Sequence, residues 1–195
     1  MTENLGGMNM KKMWVIFLLL VLLCGCYEDN GGFDHAMKLR TGLLNGNGCC
    51  FNTDITADFK DKTYSFTLSC EVDSKGNLNF TVWEPAYIEG ITGNIQSEQG
   101  KLTFDDTALA FPLQAEGIIS PVSGPWIMVK ALRSGYVRLC GTEDGLFRMT
   151  VDDSYNEDAL TLDIWVDGNN GPVRAEIYEE NRRIMTLEVK NFQLK

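Results

Sequence analysis

Apolar side chains recur at every second position through most of the chain, a period that gathers them on one face of successive β-strands. Phe51, Thr53, Ile55, Ala57 and Phe59 form one such row, and Tyr64, Phe66, Leu68, Cys70 and Val72 form the next. A turn at Asp61-Lys62 sets Phe59 against Tyr64 and Ile55 against Leu68, so both rows share a face, and it brings Cys70 near Thr53. The loop from Asp73 to Asn77 pairs Val72 with Leu78, Cys70 with Phe80 and Leu68 with Val82, and the faces coincide again. Ser97-Glu98-Gln99-Gly100 turns a further hairpin, with Ile95 facing Leu102. Near the C-terminus Leu160, Leu162, Ile164 and Val166 alternate. A Gly-containing turn from Asp167 to Gly171 returns Val173, Ala175 and Ile177 on the same face, and Glu179-Glu180-Asn181 leads to Met185, Leu187 and Val189. The expectation is a long antiparallel meander with one apolar face. Trp83 and Trp165 then stand exposed on its polar side.

Two segments leave this rhythm. Asp34 is placed to cap a helix from His35 to about Leu44, with Ala36, Leu39 and Leu43 on one face and Met37 and Leu44 beside it. Asn45-Gly46-Asn47-Gly48 stops it. Further on, Ser120-Pro121-Val122-Ser123-Gly124-Pro125 reads as a loop whose last proline opens a helix from Trp126 to Arg133, ended by Gly135. This second helix is apolar almost all round and needs burial on several sides. The fold that satisfies both patterns is mostly β (α+β): a curved antiparallel half-barrel with a hydrophobic helix across its concave face and an N-terminal helix. Leu68, Phe80 and Val82 of the strands, with Trp126, Ile127, Val129 and Leu132 of the helix, then line a hydrophobic ligand cavity. A core filled by its own side chains is the competing reading.

The N-terminus carries an address. Lys11 and Lys12 precede the unbroken apolar run from Met13 to Leu23. As a helix this run spans about 16 Å, roughly half the hydrocarbon thickness of a bilayer, which suits a secretory signal and not a membrane span. Leu23-Cys24-Gly25-Cys26 follows and resembles the bacterial lipobox, which implies cleavage before Cys26 and a diacylglyceryl group on its thiol. Residues 1–25 are thus read as a lipoprotein signal peptide, 26–32 as a flexible tether and 33–195 as the folded domain, with Met8 or Met10 as alternative starts. Two acyl chains hold a protein stably where one is marginal, so the expected location is the extracytoplasmic face of the cell membrane.

Composition narrows the function. The 195 residues hold 17 Lys and Arg against 27 Asp and Glu, a net charge of −10, with 44% hydrophobic residues and a single His. That apolar share belongs to a folded chain, and scattered cations on an acidic background argue against nucleic acid. His35 reads as a solvated helix residue, and no triad can be assembled without another His. Asp105-Asp106, Asp152-Asp153 and Glu84 read as turn and strand-end carboxylates. The stretch from Asp167 to Gly171 faintly resembles a calcium loop but has Tyr178 where the bidentate Glu belongs. No metal, cofactor or enzymatic activity is expected. Cys49-Cys50 lacks zinc or redox spacing. A bridge from Cys49 or Cys50 to Cys70 is one reading, with Cys140 left over; small buried hydrophobes are the other.

The helix leading into a strand, the long hairpins, the Ser-Pro…Pro-Trp segment at 120–126, Glu84-Pro85…Ile88-Glu89-Gly90-Ile91 and the terminal meander together resemble the LolA/LolB family of lipoprotein carriers over residues 33–195. Within that group the chain looks closest to Gram-positive lipoproteins such as the clostridial spore-germination lipoprotein that partners a cell-wall amidase. The resemblance implies a half-barrel around a lipid-accepting cavity covered by helices. Cys26 departs from the soluble shuttle of that family, which has no anchor of its own. Two functions follow as expectations: a tethered binder of an acyl chain or other hydrophobic ligand, or an envelope platform for a protein partner or a homodimer.

Overall fold

The computed structural model describes residues 30–96, 99–104, 107–112, 114–115, 118–156 and 158–195. The expected signal peptide, Cys26 and the pair Asp105-Asp106 lie outside the described residues. Helix α1 (Asn30–Asn45) leads into β1 (Gly48–Asp58), β2 (Thr63–Asp73) and β3 (Leu78–Glu84). Next come β4 (Thr92–Gln96), β5 (Gln99–Phe104) and β6 (Thr107–Pro112), then the short pair β7 (Gln114–Ala115) and β8 (Ile118–Ile119). Helix α2 (Gly124–Ser134) separates these from β9 (Tyr136–Glu143), β10 (Leu146–Asp152), β11 (Thr161–Val166), β12 (Pro172–Glu179) and β13 (Arg182–Leu194).

Eleven strands form one open antiparallel sheet in the order β6-β5-β4-β3-β2-β1-β13-β12-β11-β10-β9. Each half is a meander of sequence neighbours, the cheapest connection for a chain to make. The two meanders join where β1 pairs with β13, from Cys49 opposite Leu194 to Ala57 opposite Met185. Inward side chains of both halves and of the two helices form one buried apolar cluster. This is the curved half-barrel with an apolar helix on its concave side.

Most hairpins follow the expected alternation. Val72 faces Leu78, Cys70 faces Phe80 and Leu68 faces Val82. Leu162 faces Ile177, Ile164 faces Ala175 and Ala175 faces Leu187. The turn between β12 and β13 closes with Glu180 and Asn181 at φ of 48° and 64°, the left-handed pair that matches strand twist in a tight hairpin. Two registers slip by two residues. Ile55 faces Phe66 instead of Leu68, because Phe59 N–H donates to Lys62 O and the turn takes four residues. Cys70 accordingly sits opposite Phe51, not Thr53. Ile95 faces Gly100 and Leu102 faces Gly93, since only two residues separate β4 from β5. A slip of two keeps every side chain on its face, so the apolar wall survives both corrections.

Helix α1 begins at Asn30, ahead of the expected cap at Asp34, and takes in the last residues assigned to the tether. Gly32 is buried against Cys140 and Phe147, a close approach that draws the extra turn onto the sheet. Ala36, Leu39 and Leu43 are buried as expected, whereas Leu44 is exposed. No helix of the described residues is long and apolar enough to cross a membrane.

Candidate functional site

The concave wall is built by alternate residues of the central strands. Phe51, Ile55 and Ala57 of β1, Leu68, Cys70 and Val72 of β2, and Leu78, Phe80 and Val82 of β3 are all buried. Across the seam, Met185, Leu187 and Val189 of β13 continue the wall. Thr53 is its polar exception: the residue is fully buried and its Oγ1 has no hydrogen-bond partner among the described residues. An unpaired buried hydroxyl costs about 1–3 kcal/mol. Gly93 permits the Phe80 ring to lie flat on β4, because a Cβ at that position would meet the ring at 2.1 Å.

Helix α2 covers this wall. Eight of its eleven residues are buried, including Trp126, Ile127, Val129 and Leu132. All seven expected cavity residues therefore meet in one cluster, packed by side chains. Gly124, at the start of the helix, packs on Met185 and Leu187 of β13. The far end of α2 reaches the opposite end of the sheet, where Arg133 Nη1 donates to Leu43 O at 2.6 Å and Nη2 to Ser74 O at 2.8 Å. The helix thus runs diagonally, from the turn end of β13 to the β2–β3 turn.

Two arginines fasten the C-terminal end. Arg40 of α1 donates from Nε to Leu132 O at 2.9 Å, and from Nη2 to Gly135 O at 2.6 Å and Ala131 O at 3.4 Å. Arg133 returns the favour at the last turn of α1 through Leu43 O. Each helix thus supplies the cation that the other's unpaired carbonyls and dipole favour. At the N-terminal end Ser123 makes no side-chain cap; its hydroxyl donates to Ser120 O at 2.6 Å instead. Among the described residues the arginine hydrogen bonds to and from α2 thus gather at its C-terminal end. Periodicity located α2, but nothing in the local sequence announced Arg40, whose partners lie about 90 residues away.

The convex face holds a second assembly. Trp165 is only 8% exposed, which corrects the expectation of a surface tryptophan. Its cross-strand neighbours are Arg148 and Arg174, and their guanidiniums lie 5.2 and 4.9 Å from its ring centre, so both faces are covered. Its Nε1–H donates to Glu143 Oε2 at 2.8 Å. Asp163 accepts from Arg148 and Thr150, each at 2.6 Å. Glu176 accepts from Tyr178 Oη at 2.5 Å, from Arg183 at 2.6 Å and from Arg174. Burial pushes the Glu176 carboxyl up, but those three donors outweigh it and hold it below its ordinary value. Burial and the neighbouring Glu176 push the Tyr178 hydroxyl up to about 12. Trp83, by contrast, is half exposed as expected.

The described cysteines are free, so of the two readings the bridge to Cys70 is the one that is not met. Cys50 lies on the face opposite Cys70, since Phe51 is the residue that faces Cys70 across the β1–β2 ladder. No turn of the backbone short of a register shift brings their sulfurs together. Cys49 shares the inward face with Cys70. Burial pushes the Cys49 thiol up to about 12 and raises Cys70 as well, so both are small hydrophobes and poor nucleophiles.

The remaining candidate groups are dispersed. His35 is exposed and hydrogen-bonded to Asn170 Oδ1 at 3.2 Å. Asp152 and Asp153 are occupied with Thr161, Arg138, Lys130 and the Leu160 amide. Asp167 accepts from the Asn169 and Gly171 amides, closing a turn. Among the described residues no group of three His, Cys, Asp or Glu is placed to hold a metal ion.

No protein-family model matches the chain, and no curated protein matches it. Among solved structures it is similar to a LolA superfamily protein from Nitrosomonas europaea, at 12% identity and a TM-score of 0.46, over 84% of this chain and 93% of that one. It is also similar to the lipoprotein LppX of Mycobacterium tuberculosis, at 13% identity and a TM-score of 0.38, over 80% and 92%. A third is LprF of Mycobacterium bovis, at 13% identity and a TM-score of 0.38, over 82% and 92%. At such identity no residue role passes from one chain to another.

Proposed function

We propose that this chain is a membrane-anchored extracytoplasmic lipoprotein, held through Cys26, that takes an acyl chain or similar hydrophobic ligand into its half-barrel without performing chemistry on it. The observation that carries the reading is the pairing of a concave wall that is apolar but for Thr53 with an apolar helix whose arginine hydrogen bonds, among the described residues, gather at its C-terminal end. In the closed form α2 fills the space. A swing about its arginine-held end uncovers Leu68, Phe80 and Val82 together with Ile127 and Val129, and an acyl chain replaces helix contacts with its own. Each buried methylene contributes about 0.8 kcal/mol, so a long chain can offset the lost packing. Thr53 Oγ1 gains a partner if the ligand carries an ester or hydroxyl at that depth. Native mass spectrometry of the protein extracted gently from its membrane tests the idea. Adducts with lipid masses are expected, and consistently bare protein would sink it.

A second reading is an envelope interaction platform, as homodimer or partner of a cell-wall enzyme. It is favoured by the open edge strand β9, where Tyr136 and Leu139 are exposed beside Tyr155. Chemical cross-linking in intact cells separates the two, since a solely monomeric product counts against a platform.

A further inference from the structure

Helix α1 carries two apolar rows, and the core takes only one of them. Ala36, Leu39 and Leu43 are buried within the core cluster. Phe33 and Leu44, by contrast, are 52% and 49% exposed, and Met37 between them is half-buried. Phe33 and Leu44 stand eleven residues apart, about three turns, so their side chains leave the helix within about 20° of one another, with Met37 about 40° from Phe33. This second row lies roughly 100° around the axis from the buried one and extends for about 16 Å. Exposed Asp34, Lys38 and Thr41 border it on the side away from the buried row.

The place of this row along the chain decides what it meets. Three residues stand between Cys26 and Asn30, where the helix begins, so Asn30 lies at most about 14 Å from Cys26 however that stretch is arranged. We infer that α1 lies along the bilayer surface, with Phe33, Met37 and Leu44 turned into the acyl boundary and Asp34, Lys38 and Thr41 among the headgroups. The inference rests on the anchor at Cys26 and adds which surface of the domain meets the membrane. With Cys26 acylated, the start of α1 is held at the headgroups. The helix lies on the bilayer and does not cross it, because its sixteen residues include Asp34, His35, Lys38 and Arg40, where a span needs about twenty apolar ones. An apolar stripe with a polar flank is the form that suits the interface. A folded protein fits the space badly, since a single helix is already about 10–12 Å across and the tether leaves little more than that between the start of α1 and the lipid. Gly32 packs on Cys140 and Phe147, and Gly42 lies close to Leu194. The border of the domain from β9 and β10 to the end of β13 therefore faces the membrane.

Photo-crosslinking reads this contact directly. Acylated protein carrying p-benzoylphenylalanine in place of Phe33, of Leu44 or of Tyr87 is reconstituted in vesicles of phosphatidylcholine and phosphatidylglycerol. The vesicles are floated on a density gradient and irradiated, and the adducts are identified by mass spectrometry. All three positions are exposed, so the substitutions leave the core alone. Tyr87, 83% exposed, is the control: Arg133 ties the last turn of α1 to Ser74, ahead of β3, and Tyr87 lies past the far end of that strand, about 20 Å on. Lipid adducts at positions 33 and 44 are expected in at least about tenfold excess over position 87. Adducts no more frequent than at position 87, in protein that still floats with the vesicles, would overturn the docking and leave the anchor in place. Adducts to protein in place of lipid at positions 33 and 44 would overturn it too, and make a partner or a second copy the occupant. Wild-type protein that fails to float overturns both the anchor and the docking.

Discussion

Replacing Arg40 by Met removes the guanidinium that fastens α2 while keeping the aliphatic stem. Two of its contacts, at 2.9 and 2.6 Å to Leu132 O and Gly135 O, have good lengths, and the third at 3.4 Å is long. Charge-assisted bonds are worth about 1.5–3 kcal/mol each when buried. Arg40 is only partly buried and Gly135 N–H already supplies Ala131 O with one partner, so we expect a total loss of about 3 kcal/mol. For a chain of this size that corresponds to roughly 6–12 °C in Tm. The decisive assay is amide hydrogen exchange, because a fastener and a general stabiliser differ in where protection falls. Amides of Met128 to Gly135 should lose about a hundredfold in protection, the equivalent of that loss of about 3 kcal/mol, whereas loss of a general stabiliser that does not fasten α2 would lower protection at Ile177 and Leu187 and leave α2 unchanged. Arg133→Met acts on the same joint, so the double variant should be non-additive by more than about 0.5 kcal/mol. A change in stability below that figure, with protection of α2 intact, would refute the reasoning.

Two further outcomes are expected. The folded Glu176 carboxyl titrates below its ordinary value of 4.5, so its stabilising contribution is complete above that pH and is lost as pH falls through the folded value. Glu176→Gln should therefore flatten the drop in Tm between about pH 5 and pH 2, and an unchanged acid slope would remove Glu176 from the account. Gly93→Ala drives a methyl into the Phe80 ring; overpacking of this kind costs about 1–3 kcal/mol, read as an earlier urea midpoint, and a neutral result would show that the ring can move aside.

What the sequence reveals and hides follows from the range of the interactions. The apolar wall and the buried helix were legible because alternation and turn chemistry are local, and a two-residue slip in register leaves faces untouched. Trp165 was misread for a different reason: it stands on the polar side of its strand, and only its neighbours in space decide whether that side is wet. Its two arginine covers come from β10 and β12, so the signal lies in pairing rather than in the strand. Cys50 and Cys70 failed as a pair because adjacency in an antiparallel ladder says nothing useful until parity is fixed. Arg40 and the β1–β13 seam were invisible, since their partners are separated by about 90 and about 130 residues and no periodicity reaches so far.

That seam bears on how the molecule is made. The first strand of the sheet waits for the last, so during synthesis β1 has a partner on one side only, and its other row of amides and carbonyls stays unmet until the ribosome has delivered residues 182–194. Loss of even the final ten residues would split the sheet down its middle and bare two central borders to any extended peptide nearby. A stop codon ahead of β13 would therefore leave β1 paired on one side only.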